Sequence, residues 1–230
     1  MLRLEKVRVR FHDQLVLRDV SMKAASSRTT VLIGRNGAGK TTTLRSIMGL
    51  LPLEDGRILF DDFDLATVPV HDRARLGIGY APEDRRLISD VSVEDNLLLP
   101  AVALSFAAFE RKRRLDEIYA LLPEIAVTRK RAAGVLSGGQ GKIVALGRAL
   151  MVGTRYVLLD EPFQGLAPVL ALSYADTLAR LRQTRPSLGL LITESTPKLL
   201  EKIVDSSLLI ERGEVTELTK LIGSHTAAAQ

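Results

Sequence analysis

The segment Gly34-Arg35-Asn36-Gly37-Ala38-Gly39-Lys40-Thr41 satisfies G-x-x-x-x-G-K-[ST] without a gap, and no other stretch constrains the fold as much. Residues 30–33 run apolar into the first glycine, as in a strand buried on both faces of a parallel sheet. Beyond the loop, Leu44, Ile47, Met48 and Leu51 recur at helical spacing over residues 42–51, and Pro52 is expected to end that helix. Strand, glycine-rich turn and helix together are the context in which this pattern holds phosphate. Glycines let the backbone curl so that successive N–H groups face an anion, and the following helix adds its positive N-terminal end. On this reading Lys40 reaches the β- and γ-phosphates as a point charge, the Thr41 hydroxyl is a ligand to Mg²⁺, and Thr42 adds a phosphate contact.

A second chemical element follows about 120 residues later, where Val157-Leu158-Leu159 closes on Asp160-Glu161. Carboxyl ends of parallel strands face the ligand crevice, so Asp160 is placed to hold Mg²⁺ and Glu161 to orient and deprotonate a water. Two adjacent carboxylates aimed at one spot would repel, and a cation beside Asp160 with a water beside Glu161 relieves the conflict.

The remaining pattern is α/β. Val7, Val9 and Phe11 alternate with Arg8, Arg10 and His12, a half-exposed strand, and residues 16–22 form a second, so an antiparallel β-rich beginning is expected. Residues 94–122 read as mainly helical: the charged cluster 110–114 precedes Leu115, Ile118, Leu121 and Leu122 on one face, and Pro123 is expected to break the helix. A helix at 141–152, a strand at 156–159, a helix at 171–184, a strand at 189–193 and a hairpin around Arg212-Gly213 complete a doubly wound arrangement. The tail after Ser224 is expected to fray.

Composition narrows the function classes. With 46% apolar and 26% charged residues the chain can bury a sizeable core. Its most apolar stretch, residues 97–109, is shorter than the roughly 18 residues a membrane span needs and is interrupted by Pro100 and Ser105. Residues 1–10 alternate charge with Leu and Val and lack the apolar core of a secretory signal, so a cytoplasmic location is expected. Cysteine is absent, which removes disulfides and thiolate metal sites. The net charge of +5 comes from scattered Lys and Arg with short clusters at 111–114 and 129–131, which reads as a solvated basic surface rather than a nucleic-acid footprint.

Leu136-Ser137-Gly138-Gly139-Gln140 makes the reading narrower. A serine and two glycines open a helix whose buried face includes Ile143, Leu146 and Leu150, so its N–H groups form a second anion site on the same chain. The segment resembles the signature motif of ABC ATPases, and the phosphate loop, the Asp160-Glu161 strand and this motif stand in that family's order across the whole chain. The resemblance implies a P-loop ATPase core with a mainly parallel sheet, an antiparallel β subdomain and a helical lobe. It places the core in residues 1–82 and 141–230 and the lobe, including the signature motif, at about 83–140. It also implies ATP and Mg²⁺ as ligands and a head-to-tail homodimer or heterodimer in which Ser137, Gly138, Gly139 and Gln140 cap the γ-phosphate of ATP held by the other subunit. Permease subunits would anchor the chain at the inner face of the membrane, with a periplasmic or extracellular solute-binding protein acting indirectly. Phe11 lies where the family stacks an aromatic ring on adenine.

Departures from the family's pattern point to one branch. Glu83, within Tyr80-Ala81-Pro82-Glu83-Asp84-Arg85-Arg86, stands where the family usually has a glutamine near Mg²⁺ and the attacking water, and Ala167 replaces a common aspartate. Those strings, with Ser92-Val93-Glu94-Asp95-Asn96-Leu97 and Gly165-Leu166-Ala167-Pro168, resemble the ATPase subunits of branched-chain amino acid importers. Glu194 stands where a histidine is expected to contact the γ-phosphate, and a carboxylate beside phosphate is repelled unless a cation lies between them. His12, His71 and His225 are in the wrong places to substitute and read as surface residues. Two alternatives stay open: a regulatory module that binds ATP with little turnover, and an importer ATPase for urea, amides or aromatic acids.

Overall fold

The computed structural model describes residues 1–218; His225 and the tail after Ser224 lie outside the described residues. The chain divides into two compact units, Met1–Val70 with Gly189–Gln230 in one and His71–Leu188 in the other.

In the first unit, β1 (Leu2–Phe11) and β2 (Gln14–Ala24) pair antiparallel, with Val7 and Val9 buried and Arg8 and Arg10 exposed as the alternation requires. A strand from Asp55 to Phe60 (β4) lies on the other side of β1, and β5 (Phe63–Asp64) closes a hairpin on it, so the sheet runs β2-β1-β4-β5. The buried strand before the phosphate loop is β3 (Thr29–Ile33), parallel to β8 (Gly189–Glu194) on one side and β9 (Ser206–Glu211) on the other. Beyond β9, β10 (Glu214–Leu218) returns antiparallel from the Arg212-Gly213 turn. All five residues of β3 are buried, as their apolar run predicts.

The helix after the loop, α1 (Lys40–Ile47), is shorter than the span 42–51 expected from its periodicity. Gly49, not Pro52, ends it. Gly49 takes φ +72, its N–H bonds the Ser46 carbonyl at 2.9 Å, and the Leu50 N–H reaches back to the Arg45 carbonyl at 2.8 Å. Only a left-handed residue allows this closure, and glycine adopts it without steric cost.

In the second unit, β6 (Ile78–Ala81) and β7 (Tyr156–Asp160) are parallel, with Tyr80 opposite Leu158. The 94–122 stretch is two helices, α2 (Val93–Ala103) and α3 (Ala108–Leu121), because Ser105 turns left-handed at φ +59 and the Phe106 N–H bonds the Ala101 carbonyl. Pro123 does not simply break α3; it opens α4 (Pro123–Thr128), where its missing N–H costs nothing. The signature segment starts α5 (Gly138–Val152) three residues earlier than expected, since Ser137 caps it. The helix α6 (Pro168–Thr184) likewise opens on a proline. No helix among the described residues is long and apolar enough to cross a membrane.

Asn96 of α2 is fully buried and staples the preceding loop: its Nδ2 donates to the carbonyls of Ile88 at 2.9 Å and Ser92 at 3.0 Å, and its Oδ1 accepts the Ile88 N–H at 2.8 Å. Removing it takes away the side-chain partner of the Ile88 N–H and carbonyl and unties the loop from α2. Asn96→Ala should therefore lower unfolding stability by about 2–4 kcal/mol, seen as a lower urea midpoint with an unchanged slope. A midpoint equal to wild type would mean the loop does not depend on this residue.

Candidate functional site

The first unit carries the phosphate loop. Gly37 and Gly39 take φ +81 and +113, and a Cβ on Gly39 would lie 2.8 Å from Leu17 Cδ2. A Cβ on Gly34 would lie 2.5 Å from the Ile210 carbonyl. The loop therefore needs glycine for both conformation and space. α1 begins directly on it with Gly39 as N-cap and no acidic residue in its first turn, so its positive end is not neutralised by its own sequence. Lys40 is 3% exposed and donates to the Gly34 carbonyl at 2.6 Å, the Arg35 carbonyl at 3.1 Å and the Ser195 hydroxyl at 3.1 Å. These acceptors are neutral, and a phosphate oxygen competes with them because it adds a full opposite charge to the attraction. The outer face of the loop borders a cleft of about 680 Å³ whose walls include Arg18, Arg35, Asn36, Arg212, Glu211 and Glu214. That volume and the three arginines suit a nucleoside polyphosphate.

Thr41 and Thr42 lie in the first turn of α1 and are half-buried. Phe11 stands at the end of β1, 52% exposed, its ring edge-on to His12 at 4.5 Å between centroids, and it does not line the cleft. His71 is exposed as well, in accord with a surface role.

Glu194 meets the loop through its backbone. β8 runs one residue further than the strand expected at 189–193, so Glu194 is its last residue, 4% exposed, and its carbonyl accepts the Gly34 N–H at 3.2 Å. The next residue presents its side chain to the loop: the Ser195 hydroxyl receives Lys40 and donates to Asn36 Oδ1 at 3.1 Å. A hydroxyl both donates and accepts, so Ser195 serves both partners at once.

The second unit carries the carboxylates. Asp160 ends β7 at 2% exposure, and its Oδ2 accepts the Tyr80 hydroxyl at 3.2 Å. Cross-strand register explains the pair, since Tyr80 on β6 stands level with Leu158. A buried carboxylate that accepts a hydroxyl fits Mg²⁺, which takes one or two protein oxygens and fills its shell with water and phosphate. Glu161 follows, 6% exposed with φ +44, a conformation costing a non-glycine residue of order 1–2 kcal/mol. Its carbonyl accepts the ammonium of Lys142, a buried residue of α5, and the N–H of Gln164. Glu83 is exposed on the loop after β6.

At the start of α5, Ser137 and Gln140 form a reciprocal cap: the Ser137 Oγ accepts the Gln140 N–H at 3.3 Å, and the Gln140 Oε1 accepts the Ser137 N–H at 3.0 Å. Both side chains are exposed, as is Gly138, whereas Gly139 is buried and a Cβ there would meet Leu170 Cδ1 at 2.7 Å. The glycines thus serve close packing on one side and leave the helix start open on the other. Lys142 and Ser195 carry no motif that would mark them in the sequence, and Tyr80 stands out there only as part of the 80–86 string.

The family model described as ABC transporter matches residues 17–164. The chain is 34% identical over 208 residues to the lipopolysaccharide export system ATP-binding protein LptB of Escherichia coli (strain K12), covering 89% of this chain and 84% of that protein. It is 32% identical over 215 residues to a probable branched-chain amino acid transport ATP-binding protein, LivF, of Archaeoglobus fulgidus, covering 94% and 90%. A solved structure described as the ATP binding subunit of an ABC transporter superposes with a TM-score of 0.81 at 26% identity, over 95% of this chain and 89% of that one.

Proposed function

From the premise that the chain belongs to the ABC transporter family, as an ATPase subunit whose hydrolysis is coupled to transport, we propose that it drives an importer of small solutes, branched-chain or related amino acids foremost. The observation that carries the amino-acid reading is the set of branch-specific strings at residues 80–86, 92–97 and 165–168, supported by the likeness to LivF over nearly the full length of both chains. Residues 83–140 form the lobe that meets the permease, with contact centred on 83–96.

The chain's residues divide the work. The 34–41 amides, Lys40 and the first turn of α1 bind and orient the triphosphate, with Arg18, Arg35 and Arg212 along the cleft. The Thr41 hydroxyl and the Asp160 carboxylate are the groups that would hold Mg²⁺, which would supply positive charge to the phosphate oxygens when bound. Glu161 accepts the proton of the attacking water, and Tyr80 keeps Asp160 oriented. Ser137, Gly138, Gly139 and Gln140 offer the open start of α5 to the nucleotide of a second ATPase subunit. Phe11 is exposed enough to stack on adenine once nucleotide is present.

Uptake of radiolabelled leucine in the native cell is the direct test: chromosomal deletion of this chain should lower initial uptake at least tenfold, and the intact chain should restore it. The likeness to LptB favours a second reading, lipopolysaccharide export. Unchanged leucine uptake together with loss of lipopolysaccharide from the cell surface would replace the importer assignment with that one.

A further inference from the structure

Three residues of the second unit outside glycine hold the left-handed conformation next to α5: Arg85 at φ +62, Arg86 at φ +49 and Glu161 at φ +44. Each offers its carbonyl oxygen to a cation on that one helix. Arg148 donates to the Arg85 and Arg86 carbonyls at 2.5 and 2.6 Å, and Lys142 donates to the Glu161 carbonyl at 2.5 Å. Arg85 returns the contact, with Nη1 reaching the Gly138 carbonyl at 3.3 Å and its stem lying where a Cβ on Gly141 would come within 3.0 Å. The helix that opens with Ser137-Gly138-Gly139-Gln140 therefore grips the strained backbone on two sides.

We propose that Lys142 is a positioning residue for hydrolysis, setting the direction of the Glu161 carboxylate by fixing the carbonyl oxygen of the same residue. A residue's carbonyl and its Cα–Cβ bond are related by one soft torsion, ψ, so a cation that fixes the oxygen fixes the direction in which the side chain starts from the backbone, and a staggered rotamer then carries the carboxylate from there. Pro162 stiffens the chain immediately beyond, since its ring locks its own φ and restricts the residue before it. The ammonium is 9% exposed as a residue and meets the oxygen alongside the Gln164 N–H, so the carbonyl has little freedom to turn. A small error in the angle of a general base costs rate rather than affinity, because substrate binding is set by other groups.

The inference rests on Glu161 being the base, and the test separates the two. In the assembled transporter, Lys142→Met should lower kcat for ATP about 10- to 100-fold with KM and equilibrium ATP affinity changed less than about threefold. Lys142→Arg, which keeps a cationic donor, should recover kcat to within about threefold. In a Glu161→Gln background, Lys142→Met should cost no further single-turnover rate, since the group it positions is gone. Should Lys142→Met fail to fold, Lys142→Gln carries the same comparison with a neutral donor and an expected loss of about threefold or more. A kcat within twofold of wild type in the Met or Gln variant, a matching loss of kcat and ATP affinity, or an additive loss in the Glu161→Gln background overturns the role of Lys142. Undiminished turnover in Glu161→Gln itself instead overturns the assignment of the base.

Discussion

Glu161→Gln should hydrolyse ATP about 10²- to 10⁴-fold more slowly than the wild-type chain while still binding it, and should accumulate as a closed, ATP-bound dimer. Glutamine keeps the size of glutamate and its hydrogen-bonding reach, so the buried backbone at φ +44 and the carbonyl bond from Lys142 have no reason to change. What it lacks is basicity, and only the step that takes a proton from water needs that. A phosphate-release assay reads the rate, equilibrium nucleotide binding reads the affinity, and sedimentation with ATP reads the dimer. Turnover at the wild-type rate would remove Glu161 from the chemistry, and a variant that neither hydrolyses nor binds would show that the residue acts in the fold instead.

The second large effect belongs to the opposite end of the reaction. Lys40→Ala should weaken ATP binding about 10- to 100-fold, by the roughly 1.5–3 kcal/mol that a hydrogen bond to a charged group contributes, and should lower turnover by a further factor of about 10² through lost charge stabilisation as the γ-phosphate departs. Lys40 sits almost out of water with its ammonium on the Gly34 and Arg35 carbonyls and the Ser195 hydroxyl, a position from which a short swing delivers it to phosphate. Calorimetric titration with ATP and with ADP distinguishes the contributions: a charge that reaches the γ-phosphate should affect ATP more than ADP. Equal losses for the two nucleotides would confine Lys40 to the loop's own geometry. Affinity and rate unchanged for both would remove it from the site.

Which parts of this site a reader finds in the sequence follows from how far apart the interacting residues lie. The phosphate loop was legible because everything that defines it is local: glycines that must take φ +81 and +113, a lysine and threonine at fixed offsets, an apolar strand on one side and a helical period on the other. The same holds for the capped start of α5, where Ser137 and Gln140 bond each other across three residues, and for Asp160 at the end of a wholly buried strand. Their order along the chain was enough to name the family, which the comparisons then showed independently.

Other expectations failed at boundaries. Pro52 and Pro123 read as helix stops, yet Gly49 closed the first helix earlier and Pro123 opened a new one, because a proline is a stop inside a helix and a comfortable first residue at its start. The strand expected at 189–193 runs one residue further, to Glu194, and Ser195 just beyond it reaches the phosphate loop. What the sequence determined by itself was therefore the inventory of chemical groups and the local backbone that carries them. What only the tertiary structure decided was who touches whom: Lys40 with Ser195, 155 positions away, Tyr80 with Asp160, 80 positions away, and Lys142 with the carbonyl of Glu161. Periodicity and turn chemistry act within a few residues, whereas those contacts depend on strand register and helix placement, which the packing of the whole core sets.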